Sequence, residues 1–387
     1  MTILIIYATF ILLVVVLLLV NAYFINEIIS KQRSQKKLDE QLLVIEPIMK
    51  KHLKTDIDKI KKSEIETLKA VVLTKKGLEA FNVWCQNYIN EYGFTDNFKS
   101  YVDLIIDYKR LLENKIVRER YRNSYVLYLL SLYKLDSKET FDYAFNLLED
   151  KSLYSRNNAL RVIQNSKDEI DMVRALNIVD KSTHFFNDKI IIDFLTEFAG
   201  SRRSLNDLLV KKFDVYSERI KKLLIEYFIN TKDNSINIQS HMYDLLKKNE
   251  NTELVIASTK YFGKVINEKA KDLIMKNLDS EQWEVRAISG KVIEFYYDEL
   301  VILKLKQKLS DSNWFVRFNC ALSLINVTEG VDRRQMIKLE DRYAREIYIY
   351  ALFTKGLIDI DEYNELTNAK DTSDLKKVVS KLEKVGA

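Results

Sequence analysis

Residues 307–324, QKLSDSNWFVRFNCALSL, carry the pattern that decides the fold, and two other stretches repeat it. These are KNLDSEQWEVRAISGKVI at residues 276–293 and NLLEDKSLYSRNNALRVI at residues 146–163. In each stretch an apolar segment ends, the chain turns at an acidic residue, and a second apolar segment begins through an arginine. The acidic residues are Asp150, Asp279 and Asp311, and the matching arginines are Arg156, Arg286 and Arg317. This order is typical of a repeated pair of helices joined by a polar turn.

The spacing of the copies gives their period. Weaker copies surround Asp180 and Asp341, so successive turn acids lie 30 residues apart (150 to 180), 32 apart (279 to 311) and 30 apart (311 to 341). The interval from 180 to 279 has room for two degenerate units. A period of about 31 residues with two helices in each unit predicts an α-solenoid.

The pattern D-S-x-W-x-V-R-x-x-x-A/S in these stretches resembles HEAT repeats, in particular the short bacterial class called PBS-lyase HEAT-like. The resemblance is closest for residues 279–326, weaker for 140–200 and loose elsewhere. No repeat has a proline in its first helix, and the two middle units lack the aspartate. The resemblance implies a stack of antiparallel helix pairs in which the aspartates and arginines link one turn to the next. It does not imply lyase activity, because a fold does not determine a function.

The glycine and proline counts support the same fold class. The 387 residues include eight glycines and one proline, Pro47, where average usage would supply about 27 glycines and about 19 prolines. Sheets joined by tight turns depend on both residue types, whereas long helices joined by short polar turns need few of either. The composition therefore predicts an all-α protein.

The N-terminus predicts a single transmembrane helix. Residues 3–20, ILIIYATFILLVVVLLLV, contain no charge, and the apolar stretch continues to about Ile25. About 20 such residues are needed to cross the hydrocarbon core of a bilayer. The alternative is a cleaved signal peptide, but the segment lacks a basic start and a clear small-residue cleavage site, and it is too long. We therefore expect an uncleaved anchor at residues 1–26.

Basic residues follow this segment directly, and none precedes it. We call Lys31, Arg33, Lys36 and Lys37 the basic collar. The positive-inside rule then predicts an N-terminus outside the cell and a body in the cytoplasm. Residues 26–62 hold ten Lys/Arg and six Asp/Glu. Their net charge of +4 is most of the whole-chain net charge of +5. The collar either sets the topology alone or also binds anionic lipid headgroups.

The rest of the chain divides into two predicted regions. Residues 27–95 form a basic juxtamembrane and membrane-proximal helical region, in which Pro47 is expected to break or kink the first helix. Tyr92-Gly93 marks a helix end, and Thr95 or Asp96 is the candidate N-cap of the next helix. Residues 96–387 form the predicted HEAT-like α-solenoid.

The conspicuous side chains allow a structural and a functional interpretation. The aspartates and arginines of the repeats either tie turns together and cap helix ends, which we favour, or contact a ligand. Trp283 and Trp314 are either wedges between repeats, which we favour, or platforms for base stacking. Tyrosine is common at protein interfaces, so Tyr296 and Tyr297 are our candidates for a partner surface.

A search for catalytic and cofactor motifs finds none. The sequence lacks a nucleophile elbow, a P-loop, a dinucleotide fingerprint, a zinc-protease motif and a C-x-x-C pair. Cys85 and Cys320 lie in apolar helical contexts typical of buried thiols in a reducing compartment. The three histidines, His52, His184 and His241, have no metal-ligand spacing to either cysteine. We therefore predict no enzyme, no cofactor and no metal site.

These features favour a scaffold or adaptor that binds a protein partner at the cytoplasmic face of the membrane. The partner is expected to be membrane-associated, for instance in envelope or polysaccharide biosynthesis, and no small-molecule substrate is indicated. The alternative is a HEAT-like nucleic-acid-binding protein or DNA glycosylase, which would need a basic stripe on the repeats. The charge beside the membrane segment disfavours nucleic acid as the partner.

Overall fold

A computed structural model describes residues 2–55, 57–106, 119–328 and 341–368 of the chain. Within these ranges there are nineteen α-helices and no β-strand, as the composition predicts. The described ranges leave out residue 1 of the predicted anchor. They also leave out three segments of the predicted solenoid, residues 107–118, 329–340 and 369–387. The chain forms two compact units, Met1–Asn165 and Ser166–Ala387.

The first unit contains seven helices. They are α1 (Thr2–His52), α2 (Lys62–Val72), α3 (Lys75–Tyr92), α4 (Asp96–Ile105), α5 (Glu119–Leu132), α6 (Lys138–Asn146) and α7 (Leu153–Ile163). A 3-10 turn at Ile57–Lys59 precedes α2. Helix α3 packs on α1 and α2, and α7 packs on α5 and α6. The predicted boundary near residue 95 lies inside this unit. Helices on the two sides of it share hydrogen bonds, such as the one from Asn82 Nδ2 of α3 to Tyr125 Oη of α5 at 2.7 Å.

Helix α1 is long and apolar enough to cross a membrane by length and composition, and its apolar window is wholly exposed. Beyond that window the helix packs on the rest of the unit through one face, at Leu38, Ile45 and Met49. Pro47 was expected to break or kink α1, and the helix does not break, since α1 continues to His52. Proline removes the hydrogen bond to the carbonyl of Leu43, and both residues lie on the exposed side, where water can hydrate that carbonyl.

The candidate N-cap of α4 and the predicted core residues are found where expected. The Thr95 hydroxyl accepts a hydrogen bond from the Phe98 N–H at 3.2 Å, so Thr95, not Asp96, is the cap. The preceding Gly93 has φ +78°, a left-handed conformation that suits glycine. Trp84 and Cys85 are buried in α3, as the apolar context around them indicates.

A buried histidine joins three helices of the first unit. His52, the last residue of α1, has Nδ1 at 2.8 Å from the Tyr101 hydroxyl of α4 and Nε2 at 2.6 Å from Glu64 Oε2 of α2. Lys51 Nζ lies 2.7 Å from the other oxygen of Glu64. The hydrogen bond from Lys51 and then that of His52 lower the pKa of Glu64 from 4.5 to about 2.

This depressed pKa predicts a pH-dependent stability for the first unit. A carboxyl with a lowered folded-state pKa stabilises the fold above its unfolded value of about 4.5, and this stabilisation is lost as the pH falls towards 2. Denaturant unfolding in detergent, followed by the fluorescence of Trp84 with Trp283 and Trp314 replaced by phenylalanine, should show a falling midpoint over that interval. In Glu64→Gln this dependence should be weaker. An unchanged slope in the variant would show that Glu64 is not the group responsible.

The second unit contains the remaining twelve helices. They are α8 (Glu169–Lys181), α9 (Asp188–Thr196), α10 (Arg202–Lys211), α11 (Glu218–Thr231), α12 (Ile236–Lys248), α13 (Thr252–Phe262), α14 (Lys271–Asn277), α15 (Trp283–Val292), α16 (Glu299–Lys308), α17 (Trp314–Val327), α18 (Arg342–Thr354) and α19 (Ile360–Asn368). Short 3-10 turns lie at Phe213–Val215, Glu268–Ala270 and Ile293–Tyr296.

Eight helices of the second unit pack on their next-but-one neighbours, in two rows. One row contains α8, α10 and α12, and the other contains α9, α11, α13, α15 and α17, followed by α18. Cross-pairs such as α12 with α13 and α16 with α17 join the rows. The core between them is apolar and aromatic, with Phe213, Tyr227, Phe228 and Tyr261 fully buried.

Candidate functional site

The three repeat arginines have the same hydrogen bonds. In each, Nη1 donates to two carbonyl oxygens of the turn before its own helix. Arg156 reaches the carbonyls of residues 150 and 151, Arg286 those of 280 and 281, and Arg317 those of 311 and 312, all at 2.7–3.1 Å. Each arginine therefore satisfies carbonyl oxygens of the turn between the two helices of its repeat.

One arginine also links consecutive repeats. Arg286 donates from Nε and Nη2 to the two carboxylate oxygens of Asp311, at 2.8 and 2.9 Å, and both side chains are largely buried. Burial alone would raise the pKa of Asp311, but the hydrogen bonds from Arg286 and the Asn313 N–H hold that pKa below its ordinary value. The pair is thus a charged tie from the start of α15 to the turn before α17.

The turn acids do not cap helices directly as expected. Asp150 and Asp311 accept from backbone N–H groups two residues on, in Ser152 and Asn313, at 2.7 and 2.9 Å. Ser152 and Asn313 are themselves the N-caps, so the acids hold the turn that presents the cap. Asp279 instead pairs with Lys304 and Lys308 of α16, at 2.5 and 3.0 Å.

A groove of about 660 Å³ runs along helices α9, α11, α13 and α15. Its floor is apolar, with Leu223, Ile256 and Val292 among the lining residues. Its walls carry charges of both signs. The bases are Arg219, Lys222, Lys260, Lys264 and Lys291, and the acids are Asp188, Glu226, Glu253 and Glu294. Arg219 pairs with Asp188 at 2.6 Å and Lys222 with Glu253 at 3.4 Å, so the groove is close to neutral.

A continuous row of aromatic rings lies on α15, α17, α18 and α19. We call it the aromatic row, and its members are Trp283, Phe315, Trp314, Phe318, Tyr350 and Tyr363. Successive ring centroids are 4.9–6.5 Å apart, within the range of aromatic pairing. The rings nearest the start of the row are partly exposed: Trp283 by 38%, Trp314 by 42% and Phe315 by 53%.

A cleft of about 240 Å³ opens beside this row. Trp314, Tyr350 and Tyr363 line it, together with Arg317 and the exposed ring of Tyr343. The rings of Trp314 and Tyr350 contact each other, with centroids 6.1 Å apart at 57°, and both border the cleft. The cleft therefore offers apolar ring faces with a guanidinium group beside them.

Two predicted aromatic roles need correction or extension. Tyr296 is buried, and its hydroxyl donates to the Phe262 carbonyl at 2.7 Å. Because the ring is buried, it cannot contact a partner. Its neighbour Tyr297 is exposed. Trp283 and Trp314 contact rings of the following helices, Phe315 and Tyr350, as wedges between repeats would. They also keep part of their surface in solvent.

The basic collar and the cysteines occupy opposite environments. Lys31, Arg33, Lys36 and Lys37 are exposed on α1, where Lys31 also pairs with Glu27 at 2.7 Å. Cys85 and Cys320 are fully buried, and burial raises the pKa of the Cys320 thiol to about 12 and that of Cys85 further. Both thiols are therefore protonated and inaccessible at neutral pH. The described ranges contain no group of three His, Cys, Asp or Glu residues that could hold a metal ion.

No family model and no curated protein matches this chain. Among solved structures, it is similar to the crystal structure of an engineered protein with 13% sequence identity and a TM-score of 0.32. That alignment covers 84% of this chain and 99% of the engineered protein. A likeness at this level carries no argument about fold or function.

The groove and most of the aromatic row were not found from the sequence. The groove lies in residues 188–295, where the repeat pattern is most degenerate, and four helices contribute to it. Phe315 and Phe318 stand inside the quoted motif, but α17 is apolar on several faces, so its exposed side cannot be identified by periodicity. The available signal was the recurrence of an aromatic residue just after the turn acid.

Proposed function

We propose that this chain is a membrane-anchored scaffold or adaptor. Helix α1 crosses the membrane, and HEAT-like repeats that include the second unit bind a protein partner at the cytoplasmic face. The observation that carries the proposal is the aromatic row with its adjoining cleft. Trp, Tyr and Arg dominate the binding energy of protein interfaces, and all three line this cleft at Trp314, Tyr350 and Arg317.

The next-but-one packing of helices supports the repeat part of the proposal. Each added helix pair buries its apolar face against the previous one, as in stacked-helix arrays that offer extended binding surfaces. The Arg286–Asp311 tie joins consecutive turns, which fits the role that the HEAT resemblance implies for these residues.

The charge of the groove favours a protein over a nucleic acid. A polyanion would require a strongly basic surface. The groove instead interleaves four acids with five bases, and two of the bases are already paired. A DNA glycosylase or another nucleic-acid-binding protein is therefore the weaker proposal.

The anchor is supported by the long exposed apolar part of α1 and by the collar that follows it. The same apolar segment would suit a signal sequence. We prefer the anchor because α1 continues without interruption into the packed helices of the first unit. The collar then orients the body to the cytoplasm. A membrane-associated partner, for instance in envelope or polysaccharide biosynthesis, follows from this shared location.

Removal of the anchor tests the proposal. The chain without residues 2–25 should leave the membrane fraction, remain helical, and lose its partner in cells. After purification it should still bind that partner, because the anchor supplies effective concentration rather than contacts. Fractionation, circular dichroism and co-purification measure these results, and the full-length chain is the control. Cleavage after residue 25 in the mature protein, or turnover of a small molecule by the purified body, would contradict the proposal.

A further inference from the structure

Helix α1 leads directly from its apolar segment into the first unit. The side chains of residues 28–33 are exposed, and the first buried residue beyond them is Leu38. No turn interrupts the helix between these points. The height of the first unit above the apolar segment is therefore set by the helical rise of 1.5 Å per residue.

Helix α2 brings the chain back towards the apolar segment. Glu64, near the start of α2, contacts Lys51 and His52 at the far end of α1. After α2, Lys76 in the first turn of α3 donates from Nζ to the Ser34 hydroxyl at 2.6 Å, as well as to Glu79 at 2.7 Å. Helices α1 and α2 are thus antiparallel, and the α2–α3 turn lies on the side of the first unit that faces the apolar segment.

Two basic stretches meet on this side, and the neighbouring acids Glu27, Glu66 and Glu79 pair with one lysine each. The basic collar lies in residues 31–37, KQRSQKK, and residues 67–78, TLKAVVLTKKGL, contribute three lysines. These are Lys69, Lys75 and Lys76. The contact between Lys76 and Ser34 joins the two stretches into one surface with seven basic residues, which we call the basic face. Only the collar is recognisable from the sequence, because the lysines of the turn follow it by more than thirty residues.

The basic face lies within electrostatic reach of a bilayer crossed by α1. Ser34 is nine residues beyond Ile25, or about 14 Å along the helix. The headgroup layer occupies about 5–7 Å of this distance. The ammonium group of Lys76 at Ser34 therefore lies about 8 Å above the headgroups, which is comparable to the Debye length of about 8–10 Å.

We propose that the α2–α3 turn and the basic collar together form a surface that binds anionic lipid headgroups of the bilayer crossed by α1. The inference rests on the proposed anchoring and deepens it. The lipid would hold the first unit against the membrane through two elements rather than through α1 alone. Clusters of four to eight basic residues beside a membrane span are of the size that attracts acidic lipids.

A fluorescent label at Leu73→Cys tests this in the full-length chain. Leu73 is 40% exposed in the α2–α3 turn, and both native cysteines are buried, so labelling is specific. The protein is reconstituted in vesicles of phosphatidylcholine, or of phosphatidylcholine and phosphatidylglycerol in equal parts, with headgroup-spin-labelled lipid as quencher. Quenching should be stronger in the anionic vesicles. Replacing Lys69, Lys75 and Lys76 by glutamine should lower the preference for anionic lipid about twofold for each lysine, because the attraction has weakened at about one Debye length from the headgroups. High salt should lower the preference as well.

Two further labels decide between the outcomes. Tyr92→Cys, exposed at the other end of α3 and about 26 Å away, should show no dependence on lipid charge. Ile25→Cys, in the apolar segment, should be quenched by acyl-chain spin labels if α1 spans the bilayer. If the label at residue 25 is quenched, and the labels at residues 73 and 92 depend equally on lipid charge, the lipid-binding face is overturned and the anchor is not. Absence of quenching at 25 would overturn the anchoring and this inference with it.

Discussion

Arg286→Ala is expected to lower the free energy of unfolding of the second unit by about 3–5 kcal/mol, because it leaves the buried carboxylate of Asp311 without its main partner. The remaining groups near that carboxylate are the Asn313 N–H at 2.9 Å and Lys308 Nζ at 3.8 Å. The substitution also removes the donor to the carbonyls of Ser280 and Glu281. Denaturant unfolding in detergent, followed by circular dichroism and by the fluorescence of Trp283 and Trp314, measures the loss.

An exposed pair on the same row of helices provides the control. Arg219 and Asp188 are 2.6 Å apart, but their side chains are 43% and 58% exposed. Arg219→Ala should therefore cost no more than about 1 kcal/mol. The double variant Arg286→Ala/Asp311→Ala should recover part of the loss, since no unpaired charge stays buried. Equal losses for Arg286→Ala and Arg219→Ala would mean that the tie between repeats does not stabilise the stack.

The second large effect concerns partner binding. Trp314→Ala combined with Tyr350→Ala should weaken binding of the protein partner by about 30-fold or more, because hot-spot residues are worth 2 kcal/mol or more. Both rings line the cleft beside Arg317. The fold should persist, since Trp314 is 42% exposed and Tyr350 is only half-buried. Tyr154→Ala is the matched control: this exposed ring follows the turn acid in the first unit and lies outside the aromatic row.

The sequence predicts the helical class of the described residues, because helices depend on local patterns. Turn, cap and apolar spacing recur every 30 or so residues, and the carbonyl contacts that the three arginines share lie within one turn. The bond from Arg286 to Asp311 joins two repeats and is not local. The faces that remain exposed are set by packing between helices. Tyr296 and Tyr297 illustrate this, since adjacent residues point in different directions and only one of them can reach the Phe262 carbonyl. Periodicity in an apolar segment does not tell which of the two is buried.

Elements that are far apart in sequence account for the other differences. The groove combines residues from 188 to 295, and the basic face combines residues near 34 and 76. Pro47 was expected to break or kink α1, but whether a helix continues through a proline depends on what surrounds the carbonyl it leaves unpaired. That carbonyl belongs to Leu43, which is 75% exposed. Each of these features needed three-dimensional contacts that no single stretch encodes.

Site-specific photo-cross-linking in intact membranes tests the central claim most directly. A photoreactive phenylalanine analogue replaces Phe315, which lies between Trp283 and Trp314 in the aromatic row and is 53% exposed. We predict one discrete protein adduct in the membrane fraction, absent when the analogue is at Tyr154, and lost when Trp314 and Tyr350 are alanine. The absence of an adduct at residue 315 would contradict a partner-binding surface at the aromatic row. So would adducts at residue 315 that also form at residue 154 and that persist when Trp314 and Tyr350 are alanine.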